Sequence, residues 1–254
     1  MPLGGEIARR WADEYDYPLP DDSDLARVAQ FIAVHEDSMA PKERICAELE
    51  GVAPPDFSSP DEPHAALADL PLPVFITTNY DDFMLEALRS RGKEPKPEIC
   101  RWNASPKLAD VPVVLDPGFV PTPAKPVVFH LHGHHEVPES LVLTEDDYLD
   151  FLVAISREDR LPHQIQKALA GASLVFVGYR LADWDFRVLH RGLVMTGEPS
   201  LRRLSVNVQL RPDDDPSREY LERYFGAMHL EVYWGTARDF ARELREQRQA
   251  TVGG

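Results

Sequence analysis

The chain lacks any apolar run long enough to cross a bilayer, which takes about 20 consecutive residues, and its N-terminus lacks the basic, apolar and small-residue regions of a secretion signal. These absences predict a cytoplasmic protein that does not use a membrane. Cysteine is scarce. Cys46 and Cys100 lie in unrelated segments, which argues against a disulfide framework and a zinc ribbon, whose ligands come as Cys-x-x-Cys pairs. Positive charge is also short: 27 Lys and Arg stand against 43 Asp and Glu, for a formal charge of −16. No basic stripe can track a phosphate backbone, so direct nucleic-acid binding is not expected. A small phosphate-bearing ligand stays open, because backbone N–H groups and helix N-termini bind phosphate whatever the net charge.

What is present is ordinary globular material, 254 residues with 43% hydrophobic content, enough for one α/β core. Apolar positions spaced three to four apart predict helices over 6–17 and, after an Asp22-Ser23 cap, through Leu25, Val28, Ala29 and Ile32. A further helix is expected over 41–50, begun by Pro41. Residues 53–63, rich in proline, read as a loop, and the proline-rich stretch 95–126 reads as irregular. Short apolar runs predict strands at 74–78, 127–131, 174–177, 204–210 and 230–233. Helices are expected at 83–91, after a Thr144-Glu145-Asp146-Asp147 capping box, at 162–170, 185–192, 216–225 and 236–246. Such alternation predicts a Rossmann-like, doubly wound and mostly parallel sheet. One domain over 1–254, with a helical insertion at about 20–65, is the expected organisation.

Three of the predicted strands end in polar residues or glycine: Thr78-Asn79-Tyr80-Asp81, His130-Leu131-His132-Gly133 and Val177-Gly178-Tyr179. In an open parallel sheet the carboxyl ends of strands line one crevice, which makes Asn79, Asp81, His132 and Gly178 candidates to meet one ligand. Each has an ordinary structural alternative. Asn and Asp cap turns after strands, and a lone glycine serves a tight turn.

His130, His132, His134 and His135 are clustered, and the string partly resembles the His-x-His-x-Asp-His of metallo-β-lactamase-like hydrolases. His134 stands where that string has aspartate, and further ligands for a two-metal site are not visible. No metal is therefore expected: His130 reads as a core residue of its strand, and His134 and His135 as solvated loop residues. His132, at the strand terminus before glycine, is the candidate general base.

Taken in order, Thr77-Thr78-Asn79-Tyr80-Asp81, His132-Gly133, Thr144 to Tyr148, Val177-Gly178-Tyr179 with Asp183, Asp185, Phe186 and Arg187, and Val232 to Gly235 resemble the sirtuin-like family of bacterial NAD-consuming antiphage effectors. The resemblance spans the chain from its first helix to its last. It implies NAD as substrate, Asn79 on the nicotinamide ribose or attacking water, Asp81 near the nicotinamide and His132 as catalytic histidine. Thr78, Gly133, Gly178 and Tyr179 would belong to the same cofactor site, with Gly178 at the dinucleotide phosphates and Asn207 at the adenosine ribose. Without zinc-ribbon cysteines, the likeness is to NAD hydrolases rather than to protein deacylases. The family opens with a strand and a Gly-Ala-Gly phosphate loop, whereas this chain begins Met1-Pro2-Leu3-Gly4-Gly5, as expected either of a truncated start or of a domain that lacks that first strand and loop. The missing phosphate loop keeps a second expectation in view, a non-catalytic module that senses NAD or scaffolds a partner. Assembly with further copies or with another defence protein is expected too, to cover the apolar faces of the first two helices.

Overall fold

The computed structural model describes residues 4–115, 118–156, 161–169, 172–178, 205–211 and 215–252. In chain order the elements are α1 (Gly4–Glu14), α2 (Leu25–His35), α3 (Ala40–Leu49), α4 (Pro63–Ala68), β1 (Val74–Thr77), α5 (Phe83–Ser90), β2 (Lys96–Ile99), α6 (Pro106–Asp110) and β3 (Val127–His130). A 3₁₀ turn at Pro138–Ser140 follows, then α7 (Glu145–Ile155), α8 (His163–Leu169), β4 (Val175–Phe176), β5 (Ser205–Gln209), α9 (Asp215–Gly226), β6 (Leu230–Trp234) and α10 (Ala237–Val252). The predicted helix at 185–192 lies outside the described residues.

These elements form two compact units. The first takes in Met1–Pro54, Pro73–Glu86 and Glu94–Leu161, the second Pro55–Leu72, Ala87–Lys93 and Pro162–Gly254. Each holds a three-stranded sheet, ordered β1-β3-β2 in the first and β4-β5-β6 in the second. Every described strand pair is parallel, the mixed α/β character that the alternation of strands and helices predicts.

In the first unit β3 lies between its neighbours, with Thr77 and Ile99 both in register with His130. All four residues of β3 are buried, which is why it reads as a continuous apolar run rather than an alternating one. Beside the sheet, Ile7 and Trp11 of α1, Val28 and Ile32 of α2, and Ile45 of α3 close a core with Leu141 and Leu143. Burying side chains of this size contributes roughly 1.5–3 kcal/mol each. The faces of α1 and α2 expected to be left uncovered are thus covered by the unit itself, since the 141–143 segment returns across them.

Other expectations are corrected. Helix α1 spans Gly4–Glu14 rather than 6–17, and Asp24, not Asp22-Ser23, caps α2, accepting from the N–H groups of Ala26 and Arg27. The 53–63 loop ends in α4, whose first residue is Pro63 and whose cap is Glu62, its carboxylate 2.6 Å from Ala65 N. The stretch read as irregular contains β2 and α6. Pro97 is tolerated in β2 because that strand pairs on one side only among the described strands. The buried Glu98 carboxylate anchors the turn beyond α6, accepting from Val114 N and Leu115 N at 2.9 Å each. In the second unit Phe225 and Leu230 are the buried members of one hydrophobic cluster, with Phe176, Leu221 and Val232 against them.

Candidate active site

Parallel pairing of β1 with β3 in the register Thr77–His130 brings Asn79 and His132, each two residues beyond, to the same end of the sheet. The ladder continues past the strands: Leu131 N donates to Thr77 O at 2.8 Å and His135 N to Tyr80 O at 3.0 Å. Asn79 is exposed, and its backbone N–H is held by Thr77 Oγ1 at 3.0 Å. Thr78 beside it is half-buried. Asp81 is buried and accepts from Phe83 N at 3.0 Å, an Asx turn that leads into α5.

His132 is 3% exposed. Its ring meets those of Tyr148 and Phe151 on α7 edge to face, with centroids 5.5 and 5.0 Å away. Burial among these rings pushes its pKa down to about 3, so the imidazole is neutral near pH 7. Its Nε2 is buried without a hydrogen-bond partner among the described residues. Gly133 follows with φ +90°, and a Cβ there would lie 2.3 Å from Ser140 O. Glycine is therefore demanded by packing, independently of any ligand. The Trp102 indole N–H donates to that same Ser140 carbonyl at 2.7 Å.

His134 departs from the sequence expectation of a solvated side chain: it is 6% exposed, with Nε2 3.1 Å from Asp82 Oδ1. That hydrogen bond is the leading cause that lowers the Asp82 pKa. His135 is half-buried, and its Nδ1 lies 2.8 Å from Tyr80 O. His130 is buried as expected, and burial followed by the neighbouring His134 lowers its pKa to about 4. Asp82, His134 and His135 each present a metal-ligating atom within 4.8 Å of the other two. The sequence signal for this group, an Asp-Asp at one strand end and a His-His at the next, is plain only once the register is known.

A cavity of about 610 Å³ in the first unit is lined by Asp81, Asp82, Glu86, His135 and Glu136 together with Glu43, Cys46 and Glu50 of α3 and its end. Asn79 and His132 are not among its lining residues. Gly178 and Asn207 belong to the second unit. Gly178 is exposed with φ +87° and open space where a Cβ would stand, while Asn207 is fully buried in β5, its Oδ1 accepting from Gln209 Nε2 at 3.1 Å. Tyr179, Asp183, Asp185, Phe186 and Arg187 lie outside the described residues.

The Asn79 and His132 strand ends fall within a match to the SIR2-like domain model over residues 73–233, more than half of the chain. The chain belongs to the SIR2-like domain family. Among curated relatives, this SIR2-like chain is 28% identical over 187 residues to the NAD(+) hydrolase ThsA of Acinetobacter baumannii (strain 532279), covering 70% of this chain and 33% of that protein. It is 25% identical over 193 residues to the protein of the same name from Cytobacillus dafuensis, covering 76% and 35%. With that of Bacillus cereus (strain MSX-D12) it shares 30% identity over 122 residues, 48% of this chain and 22% of the relative. The SIR2-like chain thus spans about a third or less of the length of these relatives. No helix among its described residues is long and apolar enough to cross a membrane.

Proposed function

We propose that the chain hydrolyses NAD to nicotinamide and ADP-ribose, as the effector of a bacterial antiphage defence system. The observation that carries this reading is the juxtaposition of Asn79 and His132 beyond the ends of two neighbouring parallel strands, in a SIR2-like chain whose relatives are named NAD(+) hydrolases. Departure of nicotinamide leaves oxocarbenium character on the ribose, so the site has to hold the sugar, place a water and stabilise positive charge. The exposed Asn79 amide is suited to the ribose hydroxyls and the water. The unpartnered Nε2 of neutral His132 is suited to accept the proton from that water once the ring is reached. Asp81, with the carboxylates of the neighbouring cavity, favours the cationic nicotinamide end over the pyrophosphate. Thr78 and Gly133 complete the contacts proposed in the first unit, with Gly178, Tyr179 and Asn207 proposed for the phosphates and adenosine. This reading treats 1–254 as one NAD-binding domain, with 20–65 as a helical insertion, acting as an oligomer or with another defence protein, in the cytoplasm and without nucleic acid.

A second reading, a SIR2-like module that binds NAD without turning it over, draws support from the burial and low pKa of His132, which make it a weak base. Chromatography of NAD incubated with the purified chain, at rising protein concentration, separates the two. Nicotinamide and ADP-ribose in equal amounts support hydrolysis. Saturable NAD binding by calorimetry with no product supports the binding module, and neither binding nor product defeats both.

A further inference from the structure

We propose that Asp82, His134 and His135 bind one divalent cation of the zinc class, with an open coordination position toward the acidic cavity. One ligand atom from each side chain already lies within 4.8 Å of the others. Ligand atoms around a tetrahedral ion at about 2.0–2.1 Å stand roughly 3.3 Å apart, so a modest inward rotation of the rings closes the site. His135 offers one imidazole. Its Nδ1 lies 2.8 Å from the Tyr80 carbonyl and must carry the proton to donate there, which leaves Nε2 with its lone pair. This is the arrangement that fixes a metal-binding imidazole, with the second ring nitrogen committed to a backbone oxygen.

His134 supplies the second imidazole. It is held inside the fold with Nε2 facing Asp82 Oδ1 at 3.1 Å, so a cation takes the place of the proton shared between them. That proton moves to Nδ1, which faces Glu136 Oε2 at 3.8 Å and gives up a long contact from Glu136 N at 3.3 Å. The ring stays neutral, and the Glu136 carboxylate becomes the acceptor behind it. Asp82, His135 and Glu136 all line the cavity, to which Asp81, Glu50 and Glu86 add carboxylates, and no Lys or Arg is among its lining residues. The surroundings concentrate cations rather than anions. Two imidazoles and one carboxylate select borderline divalent ions over Mg²⁺ or Ca²⁺, which prefer oxygen donors. His130 and His132 take no part, so the site differs from the four-histidine string weighed on sequence grounds. The inference does not depend on NAD hydrolysis, since the ligands are defined by geometry in the first unit alone.

The test uses the full 254-residue chain without an affinity tag, stripped with chelator and then equilibrated with Zn²⁺. Elemental analysis should find about one zinc per chain, and competition with a colorimetric chelator should show affinity falling at least about tenfold in His135→Gln and in Asp82→Asn, with His35→Gln unchanged. Millimolar Mg²⁺ should not displace the zinc. Circular dichroism checks that the variants fold, and the near-isosteric Asp82→Asn serves if His135→Gln does not. Zinc at the level of the buffer blank, or zinc retained equally by both ligand variants, would overturn the proposal and leave the three side chains as a hydrogen-bonded latch between two loops.

Discussion

His132 and Phe151 meet edge to face, their ring centroids 5.0 Å apart and their planes at 82°. Edge-to-face contact suits a neutral imidazole, and protonating it puts a charge into a slot that offers Nε2 no described partner.

Acid should therefore unfold the protein steeply. His130 and His132 have pKa values lowered by burial to about 4 and about 3, against 6.5 for the free side chain. The unfolded chain takes up protons that the folded one refuses, so stability is fully present above about pH 6.5 and falls as pH drops toward those folded values. Each histidine contributes a slope of about 1.4 kcal/mol per pH unit in that window. Asp82 acts in the same direction, because its lowered pKa gives stability that is lost as its carboxylate is protonated. Urea melts from pH 7 to 4.5 measure the slope. His132→Phe should reduce it by about one proton, and an unchanged slope would show that His132 is charged in the folded state.

For turnover, the expected effect of His132→Ala is a loss of about 10²–10⁴-fold in kcat, the usual contribution of a positioned acid–base group. Asn79→Ala should lose activity while leaving the melting temperature close to that of the parent, because the Asn79 side chain is exposed. Full nicotinamide release by either variant would remove that residue from the reaction.

Gly133→Ala should destabilise the protein by roughly 2–5 kcal/mol without any ligand, from a positive φ and a methyl driven into the Ser140 carbonyl. Denaturant titration in the absence of NAD tests this. A stable variant with weakened NAD binding would instead assign Gly133 to the ligand alone.

Lys42 and Asp147 form an almost buried ion pair at 2.7 Å, and Asp147 also accepts from Leu143 N and Thr144 N. Removing Asp147 strips the α7 capping box and strands the ammonium, whereas Lys42→Met leaves the carboxylate two backbone donors. Asp147→Ala is expected to cost about 3–5 kcal/mol and Lys42→Met distinctly less. Equal losses would mean that the cap contributes nothing.

That capping box was readable in the sequence because its partners lie three residues apart, and β3 was readable because a strand buried on both faces must be apolar throughout. The Rossmann-like alternation and the resemblance behind it rested on such local signals. Strand β2 was not readable. Lys96-Pro97-Glu98-Ile99 has little strand propensity, and it is specified by its place beside β3. His134 was misread for the same kind of reason: its polar partner is Asp82, fifty-two positions away, and only the pairing of β1 with β3 brings them together. Burial of a histidine is legible from sequence when its neighbours are apolar, and illegible when its partner arrives from another strand.

The Tyr80 carbonyl receives both the backbone N–H and the ring Nδ1 of His135, while the Tyr80 hydroxyl donates to Val142 O at 2.6 Å. One residue thus clamps the loop that carries Asn79 to the loop that carries the histidines and to the segment that closes the helical core. Local opening has to break all three bonds together. In hydrogen–deuterium exchange, the amides of His135, bonded to Tyr80 O, and of Val142, bonded to His132 O, should share one protection factor and be lost as a single cooperative unit.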